Sequence, residues 1–463
     1  IQKQTLDSIT SGVIFTKTLE NGSPYYVINY EDGKLTDSVT KGMIANTIEI
    51  HNDVNKKNIP KKWKKLISAI KEIEIISKND KLDIEFAITK NNIIIFQVRP
   101  LTTINNKNEI QIIKHVQKQI KKNEKKFISI SHKNNKKNIF SNMSDWNPAE
   151  IIGEKPKKLD YSLYDFLIMK DSWNEGRVIL DYNNVQQRLM ENFSGRPYVN
   201  VWASFNSLLP KTIDKKLQKK LLKYYFYKLE KNPHLHDKVE FDILFTCYDF
   251  TIEKRMKNLL KHGFTSTEIK ILKKQLNKFT NKLIIQTPKV LEQTKENLII
   301  LENEIKKINV KEKNYKNKLS NAKKLLYNCK KYGTIQFSAV ARIAFVANIL
   351  LKGITDISKI EKNEIEKFMN SISTSVTEFQ EDLTSLNQKK ISQDEFLMKY
   401  GHLRPGTYDI TVQRYDKMPN FLENFEFTNF KKIILGKNFS EKRFEKILKK
   451  HELNFKQIGF VNF

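Results

Sequence analysis

Apolar and polar positions change period along this chain. Short runs rich in β-branched and aromatic residues, 11–16 (SGVIFT) and 24–30 (PYYVINY), predict two strands. Over 62–78, Trp63, Leu66, Ile67, Ile70 and Ile73 recur at steps of three and four. That spacing puts them on one face of a helix, with Pro60 just before its start. The period then falls to two. Residues 82–88 and 93–98 predict a pair of strands joined by a polar turn at Asn91 and Asn92. Residues 105–142 are rich in Lys and Asn and read as a linker, with a helix over 110–122. Beyond it the pattern predicts helices over 211–231, 251–261, 266–286, 288–331, 337–351 and 359–386, and no repeat at a fixed period. The fold class is therefore α+β: a mixed α and β portion over 1–104, the linker over 105–142, and a mainly helical portion over 143–463.

The alternation in the paired strands carries the candidate chemistry. A hairpin centred on Asn91 sets Glu85 opposite Gln97 and Asp83 opposite Arg99. All four then share one face, because strand side chains alternate. Leu82, Ile84, Phe86, Ile88, Ile94, Phe96 and Val98 take the other face, which reads as core. Two carboxylates, an amide oxygen and a guanidinium at close quarters suit magnesium and a nucleotide. Magnesium takes hard oxygen ligands, one or two from protein, and leaves the rest to phosphates and water. Glu85 and Gln97 are the candidate metal ligands. Arg99 is the candidate phosphate contact or partner of Asp83. An ordinary half-buried hairpin would show the same pairs, and one bulge would move Gln97 to the opposite face.

Composition narrows the setting more than the function. The chain has 463 residues, 39% apolar and 29% charged, with net charge +30. Lysine far outnumbers arginine and is spread throughout, as Asn and Ile are. The charge reads as general surface composition, without a nucleic-acid-binding motif beside it, so nucleic acid is not an expected partner. No run of about 18 apolar residues occurs and no signal peptide is visible, so no membrane association is expected. Cys247 and Cys329, the two cysteines, are too far apart in sequence to read as a disulfide framework or a zinc site. A reducing cytoplasm is the expected location.

Taken together, DIEFA at 83–87 and FQVRPLT at 96–102 resemble the end of the ATP-grasp domain in the phosphoenolpyruvate synthase and pyruvate phosphate dikinase family. SGVIFT and YYVINY are similar to preceding strands of that domain, which line the nucleotide cleft. The resemblance implies the C-terminal half of an ATP-grasp domain followed by a mainly helical region. It implies Mg2+ and ATP as cofactors, Glu85 and Gln97 as metal ligands, and Arg99 at the phosphates as a catalytic residue. Many members carry a Gly-x-Gly-Glu turn after the second strand; here the loop runs from Glu31 through Gly33 and Asp37 to Gly42, with no Glu clearly in that place. Three later segments resemble a synthase-like subgroup: 143–150 (MSDWNPAE), 195–207 (GRPYVNV, then ASFNS) and 400–409 (YGHLRPGTYD). Read from residues alone, Asn147, Pro148 and Glu150 make a good helix start. The loop with His402, Arg404 and Asp409 reads equally as a structural turn or as an anion or docking site. Arg342 reads as an ion-pair partner inside an apolar helix.

Family enzymes pass phosphate through a carrier histidine in a Gly- and Thr-rich segment. None of the eight histidines (51, 115, 132, 234, 236, 262, 402 and 451) has that setting. No barrel-like alternation of strands and helices follows. The expectation is a fragment or split-enzyme component without the N-terminal ATP-grasp half, the phosphohistidine domain and the barrel. Such a component would supply the Mg–ATP phosphate site of a phosphoenolpyruvate synthase-like (pyruvate, water dikinase) phosphotransferase, and would be inactive alone. The alternatives are a non-catalytic helical binding module, or a phosphotransferase acting on another small molecule such as an antibiotic.

Overall fold

The computed structural model describes residues 7–33, 46–101, 109–133, 138–308, 312–357, 362–372, 374–405, 412–420, 425 and 444–463. The chain divides into two compact units, Ile1–Ser129 and Ile130–Phe463, and the class is α+β.

The first unit is built on an antiparallel sheet. Its strands are β1 (Ser8–Phe15), β2 (Tyr25–Asp32), β3 (Asn46–His51), β4 (Leu82–Thr89) and β5 (Ile93–Pro100), in the order β3-β2-β1-β4-β5. Helix α1 (Lys64–Ser77) lies between β3 and β4 in sequence. Its stripe is the expected one: Trp63, Leu66, Ile67 and Ile70 are buried with Ile14, Ile28, Ile84 and Phe86 of the sheet, and Ile73 packs at the margin. Trp63 meets Tyr30 and Phe86 edge-on, with ring centroids 4.7 and 6.4 Å apart. The helix stops at Lys78, whose left-handed backbone (φ 51°) lets its N–H reach the Glu74 and Ile75 carbonyls. Strand β3 has a weak apolar pattern and was not expected. Helix α2 (Glu109–Lys133) occupies most of the expected linker and runs well past 122.

The second unit is mainly helical but holds a small sheet. Strand β6 (Phe140–Ser141) precedes three short helices, α3 (Pro148–Ile152), α4 (Lys158–Tyr164) and α5 (Ser172–Ile179). Strands β7 (Met190–Phe193) and β8 (Arg196–Asn200) follow, and the order is β6-β8-β7. The turn between β7 and β8 is Ser194-Gly195, with φ of 53° and 87°, the positive pair that a two-residue hairpin prefers. Next come α6 (Val201–Ser207), α7 (Lys215–Lys231), α8 (Ile252–Met256) and α9 (Ser266–Lys306). Helix α9 runs straight through Pro288, where the sequence pattern suggested a break. Leu272, Leu276, Phe279, Leu283 and Ile284 anchor its first half in the core, and that packing outweighs the roughly 3 kcal/mol an interior proline costs. Helices α10 (Tyr315–Asn328) and α11 (Ile335–Ile357) join through a π-helical turn, Cys329–Thr334.

One 18-residue window of the helical run Tyr315–Ile357 is apolar enough, by length and composition alone, to cross a membrane. Ala339, Ile343, Val346, Leu350 and Ile354 of its α11 portion are nevertheless buried in the core of this unit. Beyond it lie α12 (Lys362–Ser371), α13 (Ser375–Asn387), α14 (Gln393–Tyr400) and α15 (Glu445–Lys450).

Candidate functional site

The sheet of the first unit has one face against α1 and a second face that is open at its Glu85–Gln97 side and buried at Ser11 and Ala87. Register fixes what the open face presents. Gln97 pairs with Glu85, Glu85 with Val13, Val13 with Asn29 and Asn29 with Thr47. The neighbouring row runs Arg99, Asp83, Phe15, Val27 and Glu49. Each row crosses all five strands, so the hairpin residues continue into a surface made by β1, β2 and β3. Thr47 Oγ1 donates to Asn29 Oδ1 at 2.6 Å within the first row.

The expected pairs of the hairpin are present: Glu85 opposite Gln97, and Asp83 opposite Arg99. A bulge does occur, at Phe96, because Phe86 already pairs with Ile95. It corrects the expected core face. Ile93 and Ile95, rather than Ile94 and Phe96, pack against the core, and Val98 is exposed. A bulge adds one residue to one strand and shifts the alternation beyond it.

The Arg99 guanidinium turns toward its own strand and toward β4. It donates through Nη2 to Gln97 Oε1, and the same nitrogen lies 3.8 Å from Glu85 Oε1. Among the described residues its ion pair is with Glu85 and not with Asp83, the other partner the sequence suggested. Asp83 Oδ1 is buried with no hydrogen-bond partner. Burial pushes the Asp83 carboxyl up, and the nearby Glu85 charge adds to this against the pull of Arg99.

The donor chemistry fits a magnesium ion with phosphates. Glu85 and Gln97 offer two oxygens already gathered on one cation, the guanidinium, and the orphaned Asp83 oxygen lies one pair along. Two protein oxygens are enough where phosphates and water complete the shell. Among the described residues no cluster of three or more His, Cys, Asp or Glu forms a metal cage. The loop from Lys34 through Asp37 and Gly42 lies outside the described residues.

The later motif segments have structural roles. Asp145, at φ 59°, is buried in the second unit and takes four donor contacts. Arg177 grips both of its oxygens, through Nη1 to Oδ2 at 3.0 Å and through Nη2 to Oδ1. Ser204 Oγ donates to Oδ2 at 2.7 Å and Trp173 Nε1 to Oδ1 at 3.0 Å. Arg177 also donates to Ser207 Oγ at 2.6 Å. MSDWNPAE and ASFNS thus meet in one buried network. Its organiser, Arg177, went unnoticed in the sequence, where only its i,i+4 spacing from Trp173 hinted at it. Asn147 precedes α3 as expected, with Pro148 at the first helical position. Its side chain donates to Glu150 Oε2 at 2.8 Å instead of capping the backbone.

Arg342 is an ion-pair partner as expected, held by Glu240 of the π-helical turn Val239–Ile243. In the His402 segment, Leu403 O accepts from Tyr415 N–H at 2.9 Å, and Arg404 Nε donates to Val412 O at 2.8 Å. These contacts are those of a turn; Gly406, Thr407, Tyr408 and Asp409 lie outside the described residues. No family model and no curated protein matches the chain.

Proposed function

We propose that the open sheet face of the first unit is part of a magnesium–nucleotide site of the ATP-grasp kind, serving a phosphoenolpyruvate synthase-like phosphotransferase. The observation that carries this reading is the gathering of Glu85, Gln97 and Arg99 at one place on that face. Glu85 and Gln97 would hold Mg2+. When bound, the metal offsets charge on the phosphoryl oxygens of ATP. Arg99 binds and orients phosphate oxygens once released from Gln97, since a guanidinium is a planar donor matched to them. Val13 and Phe15 give the face an apolar floor beside the polar row. The helix-backed sheet keeps β4 and β5 rigid, which is what positioning of a phosphoryl group requires.

Reconstitution tests the reading. The chain is combined with the N-terminal half of an ATP-grasp domain of this type and a phosphohistidine carrier domain, and label from the β- and γ-phosphates of ATP is followed. Phosphohistidine that forms with the native chain and is lost in Glu85→Ala and Gln97→Ala supports the proposal. Full activity in both variants, or no ATP turnover by a well-folded reconstituted domain, removes it in favour of a non-catalytic binding module.

A further inference from the structure

A cleft of about 880 Å³ opens in the second unit between α7, the turn Val239–Ile243, α8 and the C-terminal end of α11. Phe241, Phe245 and Phe250 give it an apolar side. Its charges do not balance. Arg255 is committed to Asp249, at 2.6 Å, and to the carbonyls of Leu244 and Phe241 at 2.8 and 3.2 Å. Glu253 is taken by Lys273. What remains on the lining is Lys228, Lys254, Lys257 and Lys352 against Asp242 and Asp356.

Lys228 is the informative member. It sits half-buried on α7, and its Nζ donates to the main-chain carbonyl of Asp242, a neutral acceptor. Among the described residues no carboxylate lies within ion-pair distance of it. A partly buried cation whose nearest carboxylate stays beyond ion-pair distance is incompletely compensated. Burial first, and the Arg255 charge second, hold its amine below the ordinary lysine range, with Asp242 opposing.

We infer that this cleft binds a small organic anion, a carboxylate or phosphate carried on a flat apolar body, with Lys228 as counter-charge to the acid group. The three phenylalanines receive the body, and Lys352, Lys254 and Lys257 at the rim draw the anion in. Nothing in this assignment depends on the nucleotide site of the first unit.

The test is calorimetric titration of the whole chain with phenyl phosphate, benzoate and benzyl alcohol. The anions should bind at least about tenfold tighter than the neutral alcohol, as an ion pair desolvated on one side predicts. Lys228→Met should weaken phenyl phosphate about tenfold or more, and Lys352→Glu at the exposed rim about threefold. A thermal melt of each variant establishes that it is folded. Equal binding of alcohol and anions, unchanged binding in folded Lys228→Met, or no anion binding up to about 10 mM by the native chain would overturn the assignment.

Discussion

Gln97 stands opposite Glu85 although its strand carries an extra residue at Phe96. The bulge lies on the turn side of the pair, so the register from Glu85 to Leu82 is untouched while the alternation of Ile93 to Ile95 is shifted. The polar row is preserved and the core contacts are re-phased. The Arg99 guanidinium then engages both Gln97 Oε1 and Glu85 Oε1, the two oxygens that would hold Mg2+ in the proposed site.

That position predicts opposite effects for one substitution. Arg99→Ala should raise the affinity of the site for Mn2+ alone by up to about fivefold, since an exposed ion pair competing with the metal is worth about 1 kcal/mol or less. It should weaken Mn–ATP about tenfold or more, through loss of a charge-assisted phosphate contact. Electron paramagnetic resonance of free against bound Mn2+ measures both. Movement in the same direction for both ligands would contradict the dual placement of Arg99.

The Asp145–Arg177 network should dominate the stability of its surroundings. Asp145→Ala leaves the Arg177 charge buried and uncompensated, at an expected cost of about 3–5 kcal/mol in urea unfolding. Burial alone would raise the Asp145 pKa. The Arg177 guanidinium, with donors from Ser204 and Trp173, outweighs it and holds the carboxyl below its ordinary value. A depressed folded pKa contributes stability above the unfolded value of about 3.9, lost as pH falls through the folded one. The difference in melting temperature between native and Asp145→Asn protein should therefore shrink below about pH 4. A difference constant from pH 6 to pH 3 would contradict this.

Helices α5 and α11 meet at Gly176. A Cβ there would lie 2.4 Å from Ser338 Cβ and 2.7 Å from the Ile335 carbonyl oxygen. Gly176→Ala should cost about 1–3 kcal/mol, and Ser338→Gly should restore only part of it, because the backbone oxygen remains. Denaturant midpoints of the single and double variants check this. Full restoration would show that the backbone contact does not matter.

The sequence revealed most where one period ran undisturbed. Trp63, Leu66, Ile67 and Ile70 marked the buried face of α1, and Asp83 and Glu85 marked the open face of β4. It revealed less where tertiary contacts override local preference. Pro288 suggests a break, but the buried run from Leu272 to Ile284 carries α9 through it. Strand β3 has little apolar pattern because Thr47 and Glu49 lie on the open face. The β7–β8 hairpin had a readable Ser194-Gly195 turn that its helical neighbourhood obscured. Asp145 and Arg177 lie 32 residues apart, and no local spacing reports a buried contact at that range.

The most direct test of the nucleotide-site account uses the chain with Mn2+ and ATP, observed by nuclear magnetic resonance with selectively labelled backbone amides. Paramagnetic broadening falls steeply with distance, so it locates the metal even when affinity is weak. The account predicts ATP-dependent broadening centred on Glu85, Gln97 and Arg99 and reaching Val13 across the sheet, abolished in the Glu85→Ala, Gln97→Ala double variant. Broadening centred elsewhere, or unchanged in a folded double variant, would contradict it.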